Sequence, residues 1–168
     1  INTVNDDAIV LKTSYGLGKL RATENVTITN CIVSGYDLGT VLDGTYGTRT
    51  QQAPDRDGPT GRIKLGTESN GDFKNITISN CVFDRSRGLA IESVDGSRIE
   101  NVVATGLVMR NLTSSTVFVR LGNRARGPEG TAVGSIRGVS ISNVVASGVD
   151  GRFPIQIQGL PGHAIENI

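Results

Sequence analysis

Tryptophan is absent, aromatic residues make up 4% of the 168 positions, and the chain has one histidine, one methionine and two cysteines. Two cysteines exclude a disulfide scaffold. They also fall short of a structural zinc site, which needs about four Cys or His ligands at short spacing. An excess of charge of one sign is missing too: 17 basic residues face 16 acidic ones. That balance gives no electrostatic basis for binding nucleic acid or an anionic membrane. No apolar run approaches the roughly 20 residues of a membrane span, and no stretch reads as a signal peptide. The regular leucine framework of leucine-rich repeats is also lacking.

What the chain has in quantity is glycine, at 22 residues, with Val, Ile, Thr, Ser and Asn. The β-branched residues favour strands, and Gly, Asn and Ser favour turns. They are arranged as a repeat. NVTITNCIVSG occupies 25–35, NITISNCVFDR 75–85, NVVATGLVMRN 101–111 and GVSISNVVASG 138–148, and another copy opens at 165–168. Val and Ile alternate with other residues inside each phrase, which is the period of a strand. A second short apolar segment recurs between the phrases: AIVLK at 8–12, RIKLG at 62–66, LAIES at 89–93, VFVRLG at 117–122 and IQIQG at 155–159. The step from Asn75 to Asn101 is one plain unit. The surplus in longer steps falls into two loops, 45–61 and 123–135.

A β-sandwich would join antiparallel strands by hairpins and would not restate one phrase at this spacing. Parallel stacking of equivalent positions does, because each unit then buries its side chains against its neighbours. The predicted fold class is all-β: a right-handed parallel β-helix, or solenoid, of about five coils without end caps. Residues 1–168 read as one segment of a larger domain. Stacking sets Ile28 over Ile78 and then Ile141. It also sets Cys31 over Cys81, about 4.8 Å apart, with side chains running parallel as two buried thiols rather than a disulfide. Asn30 and Asn80 are expected at matching corners, where side-chain amide ladders would satisfy turn backbone groups.

Outward-facing residues on one strand row of such a fold line a groove. The row of short segments carries Asp6 and Asp7, then Arg62 and Lys64, Glu68, Glu92 and Arg120. Carboxylates mixed with cations suit hydrolysis of an acidic polysaccharide. Carboxyl groups protonate the leaving oxygen and activate water, and cations hold uronate carboxylates. Plainer readings stand beside this one. Asp-Asp before a strand is often a turn with solvated charge. Arg62 and Lys64 alternate with Ile63 and Leu65 as on any exposed strand face. Glu68 and Glu92 read equally as solvated strand ends, and Arg120, Arg124 and Arg126 as a charged loop or a seat for an anion. His163 lies in a late loop and is read as non-catalytic.

Four stretches, DDAIVLK at 6–12, ENVTITNC at 24–31, GTESNGDFKNITISNC at 66–81 and RSRGLAIES at 85–93, carry a likeness. In this order, over approximately residues 1–120, the chain resembles the polygalacturonase family of glycoside hydrolases (family 28), above all its bacterial members. The resemblance implies a right-handed parallel β-helix and hydrolysis of pectic, galacturonate-containing chains with inversion at the anomeric carbon. It implies no metal and no organic cofactor, and an acidic plant cell-wall polysaccharide or oligosaccharide as partner. An extracellular or periplasmic location is implied as well. Asp6 and Asp7 match the family's Asp-Asp motif, which makes them the implied catalytic residues. Arg62, Lys64, Glu68, Glu92 and Arg120 form the candidate substrate-binding set. The family's Asn-Thr-Asp is expected upstream of Ile1.

Two motifs depart from the family. Anchored on GTES, its Gly-His-Gly falls near Thr60 or Gly61, where no histidine stands. Its RGLRIKT, set against RGLAIES, puts Ala90 and Glu92 in place of Arg and Lys. A literal Arg-Ile-Lys occurs one coil earlier, at 62–64, where its cations are available to stand in. Three functions stay open: a hydrolase of this family acting on another pectic linkage, a non-catalytic polysaccharide-binding β-helix, and a structural β-helix of an adhesin or phage fibre. The Asp-Asp pair favours the first, since a binder has no need of it.

Overall fold

The computed structural model describes residues 1–4, 6–48 and 60–168. Most of the anticipated 45–61 loop therefore lies outside the described residues. The described residues hold ten strands and no helix, so no helix is long and apolar enough to cross a membrane. Five short strands, β1 (Ile9–Thr13), β4 (Ile63–Ser69), β6 (Leu89–Ser93), β8 (Val117–Leu121) and β10 (Gln156–Gln158), hydrogen-bond in that order as one sheet. The second sheet runs β2 (Thr23–Thr29), β5 (Phe73–Asp84), β7 (Arg98–Arg110) and β9 (Ser135–Ser147), with β3 (Ile32–Ser34) continuing β2 along β5. Every pairing between these strands is parallel. Parallel neighbours need a crossover, and here each strand's crossover passes through the other sheet.

The register follows the repeat. Ile28 stands beside Ile78, then Ala104, then Ile141, and Ile9 beside Ile63, Leu89 and Val117 in the other sheet. These columns, with Phe73, Ile76, Phe83, Leu107 and Met109, fill one continuous apolar core between the sheets. The cysteines stack as expected, since Thr29 pairs with Ser79 and Ile32 with Val82, and both thiols are free. One detail differs. Cys81 is buried but Cys31 is only half-buried, because β2 is the edge of its sheet and residues 1–3 bridge only β3 beyond it.

The long strands bend at regular intervals. Left-handed backbone occurs at Asn25 and Asn30, at Asn75, Asn80 and Arg85, at Asn101, Gly106 and Asn111, and at Gly138, Asn143 and Gly148. The step is five residues each time. Asn is the non-glycine residue best able to take this conformation, and Gly takes it freely. The predicted amide ladder exists, one corner earlier than expected. Asn75 Nδ2 donates to Asn25 Oδ1 and Asn101 Nδ2 to Asn75 Oδ1, each at 3.1 Å. At the Asn30–Asn80 corner the next member is Gly106, whose missing side chain ends the column.

Candidate functional site

The two sheets bury themselves differently, and the difference locates the site. Side chains of β7 alternate between buried and exposed, as in a sheet with one wet face. Every residue of β6 is buried, and so are Ile63 to Gly66 in β4. The outer face of the short-strand sheet is thus covered at its middle, and charged residues lie under that cover.

Asp6 and Asp7 form the turn into β1. Asp6 folds back locally: its Oδ1 accepts the Asp7 amide at 2.8 Å. Its carbonyl accepts the Gly61 amide at 3.1 Å and the Thr60 hydroxyl, which pins the Asp-Asp turn to the next repeat. Asp7 is held on both oxygens. Arg62 Nε donates to Oδ1, and Lys64 Nζ stands 3.7 Å from Oδ2. Lys64 in turn meets Glu92 Oε1 at 3.2 Å. The side chains of Asp7, Lys64 and Glu92 are 6%, 7% and 6% exposed.

Strand alternation therefore misleads at Lys64. It points to the outer face, as predicted, yet is buried because Asp7 and Glu92 close over it. Glu92 is likewise an ion-pair partner rather than a solvated strand end. Removing charges from water is costly unless each is paired, and this chain of four charges supplies the pairing.

Beside this chain lies a cavity of about 410 Å³. It is lined by Asp6, Asp7 and Lys64, by Lys12, Gly66, Thr67 and Glu68, and by Arg124 and Arg126. Gly66 has φ +89°, and a Cβ there would fall 2.5 Å from the Glu92 carbonyl. Only glycine permits that close approach. Of the seven residues anticipated for the site, Asp6, Asp7, Lys64 and Glu68 share the cavity, while Arg62 and Glu92 support it through ion pairs. Arg120 does not join them. It is in register with Glu92 but lines a separate depression with Asn123, Gln158 and Leu160.

Sequence reasoning overlooked Lys12 and Asp95. Lys12 lies at the end of AIVLK, and its position within the register shift between Leu11 and Thr13 is not readable from alternation. Asp95 is fully buried and binds Arg124 through Oδ1 at 3.0 Å and through Oδ2. Burial opposes its charge, but the Arg124 guanidinium and the amides of Arg126 and Ser69 outweigh it and hold its carboxyl below the usual range. Among the described residues, Asp6, Glu68, Lys12 and Arg126 have no ion-pair partner, so the cavity presents two carboxylates and two cations to a ligand. No group of three or more His, Cys, Asp or Glu among them could hold a metal ion.

Searches of family models, curated proteins and solved structures find no match to the chain.

Proposed function

We propose that the two sheets are faces of a right-handed parallel β-helix of about five coils. On this reading the chain is part of a secreted glycoside hydrolase that cleaves pectic polysaccharide with inversion. One observation carries the proposal: the Asp6-Asp7 turn shares a cavity with the unpaired cations Lys12 and Arg126. A glycosidase needs a carboxyl group at the scissile bond, and an acidic sugar needs cations beside it. Asp7, held on both oxygens by Arg62 and Lys64, takes the role of base in this reading. Asp6 is exposed, and among the described residues its Oδ2 accepts no hydrogen bond, so it can reach a substrate oxygen.

A second reading draws on the same geometry. With both Asp7 oxygens turned to cations, the turn could be a structural element of a non-catalytic polysaccharide-binding surface. Incubating the protein that carries this chain with oligogalacturonates decides between them. Hydrolysis is followed by reducing ends and by proton NMR of the newborn anomer. Asp7→Asn should lower turnover by about 10²–10⁴-fold, the usual contribution of a positioned proton-transfer group. Undiminished turnover by a folded Asp6→Asn, Asp7→Asn double variant would end the catalytic assignment. Binding without cleavage by the wild type would transfer the claim to the second reading.

A further inference from the structure

Asp95 has a role that neither the repeat nor the resemblance supplies. It lies just after β6, and its buried carboxylate gathers donors from two other repeats. The Ser69 amide approaches Oδ2 at 3.3 Å and the Arg126 amide approaches Oδ1 at 3.1 Å. The Arg124 guanidinium spans both oxygens. Ser69 Oγ accepts the amides of Val94 and Asp95 at 2.9 and 3.1 Å, which fixes the direction of the carboxylate. Two more bonds tie the same segment down: the Arg124 amide to the Val94 carbonyl at 2.6 Å, and Asn70 Nδ2 to the Arg126 carbonyl at 2.9 Å.

Arg124 is committed to this arrangement, since its Nη2 also reaches the Thr67 carbonyl at 3.3 Å. Arg126, two residues on, is not engaged. It lines the same cavity as the Asp-Asp turn without a carboxylate partner among the described residues. Residues 123–134 contain no regular secondary structure until β9 begins, so their hold on the sheet depends on these side-chain bonds together with the Arg124 amide to Val94 carbonyl bond.

We propose that Asp95 is a positioning residue: by fixing segment 124–126 it sets the place from which Arg126 binds an anionic group in the cavity. The inference rests on the hydrolase reading only for the ligand, a sugar carboxylate. A charged hydrogen-bond acceptor is needed, because a neutral amide cannot accept from both nitrogens of the guanidinium fork.

The test is a double-mutant cycle between Asp95→Asn and Arg126→Ala in the whole protein, with two readouts. Hydrogen exchange should quicken about tenfold or more at the amides of 124 and 126 in Asp95→Asn, matching loss of a charge-assisted bond, while β5, β7 and β9 keep their protection. Calorimetry with trigalacturonate should show affinity falling about tenfold in Asp95→Asn and no further fall when Asp95→Asn is added to Arg126→Ala. Unchanged exchange, or equal and additive losses in both backgrounds, would overturn the proposal. If Asp95→Asn does not fold, Arg124→Gln, a less buried change in the same pair, is read the same way. A wild type that ignores trigalacturonate would refute the substrate reading, and the exchange result would then decide the positioning claim alone.

Discussion

Lys64→Met separates a structural cation from a ligand-binding one, and its cost can be worked from the ion pairs. Lys64 lies between Asp7 and Glu92 at 3.7 and 3.2 Å, all three side chains being 7% exposed or less. Without the ammonium, Asp7 keeps Arg62, but Glu92 has no other ion-pair partner among the described residues. Breaking a buried pair typically costs about 3–5 kcal/mol, most of it from the charge left behind. The cost has a ceiling, because a stranded glutamate can take up a proton. Keeping an ordinary glutamic acid neutral at pH 7 requires about 3.7 kcal/mol, at about 1.36 kcal/mol per pH unit above its usual value near 4.3. At pH 5 the same step requires about 1 kcal/mol.

The variant should therefore lose about 3–4 kcal/mol relative to wild type at pH 7 and about 1 kcal/mol at pH 5. The sign follows from linkage: the folded variant binds the extra proton, so its relative stability rises as pH falls. Urea unfolding followed by far-ultraviolet circular dichroism measures both values. Lys64→Met with Glu92→Met should recover most of the loss, since an apolar pair of similar volume replaces a buried ion pair at little cost. A pH-independent loss under 1 kcal/mol would refute the reasoning and return Lys64 to the free cations.

Three further outcomes follow from the structure. Ile78→Ala, in a fully buried column position, should cost about 2–5 kcal/mol by denaturant midpoint, whereas Ile32→Ala, 64% exposed, should stay within about 0.5 kcal/mol. Asn75→Ala should cost about 1–2 kcal/mol, because Asn75 sits at φ 56° and bonds both Asn25 and Asn101. Asn75→Gly should restore the conformational part and leave only the loss of the amide ladder. Asp72 and Asp95 both lie below the ordinary 3.8, Asp72 because Arg98 and Lys74 outweigh its desolvation. Their contribution is complete above that value and is lost as pH falls below it through their lower folded values. An acid titration of Asp95→Asn should accordingly be shallower than that of wild type, as read by thermal midpoint between pH 5 and pH 2.

The strand columns were legible because parallel stacking of equivalent strands repeats the environment of each position. Residues that meet the same neighbours in each repeat, such as Val26, Ile76, Val102 and Val139, face the same selection for shape, so the pairing shows as a recurring phrase. The five-residue step of left-handed corners was legible too, as Asn or Gly at 75 and 80, at 101, 106 and 111, and at 138, 143 and 148. It is masked in the strand period, because a bend resets alternation. Alternation alone therefore does not show that these Asn residues are corners inside longer strands.

Composition and periodicity by themselves determined that this protein is all-β, built from two recurring strand types, and that Asp6-Asp7 stands at the entry to a strand of the short-strand row. They could not decide which charged residues are free. Whether Lys64 meets water or a carboxylate depends on what covers the outer face of β4, and the covering groups come from 28, 57 and 60 positions away: Glu92 from β6, Asp7 from before β1, Arg124 from beyond β8. Coulomb attraction between buried groups depends on separation in space and on loss of solvent. Neither is written in the local pattern of a strand, so only the tertiary structure assigned Lys64 and Glu92 to the framework and left Lys12 and Arg126 facing the cavity.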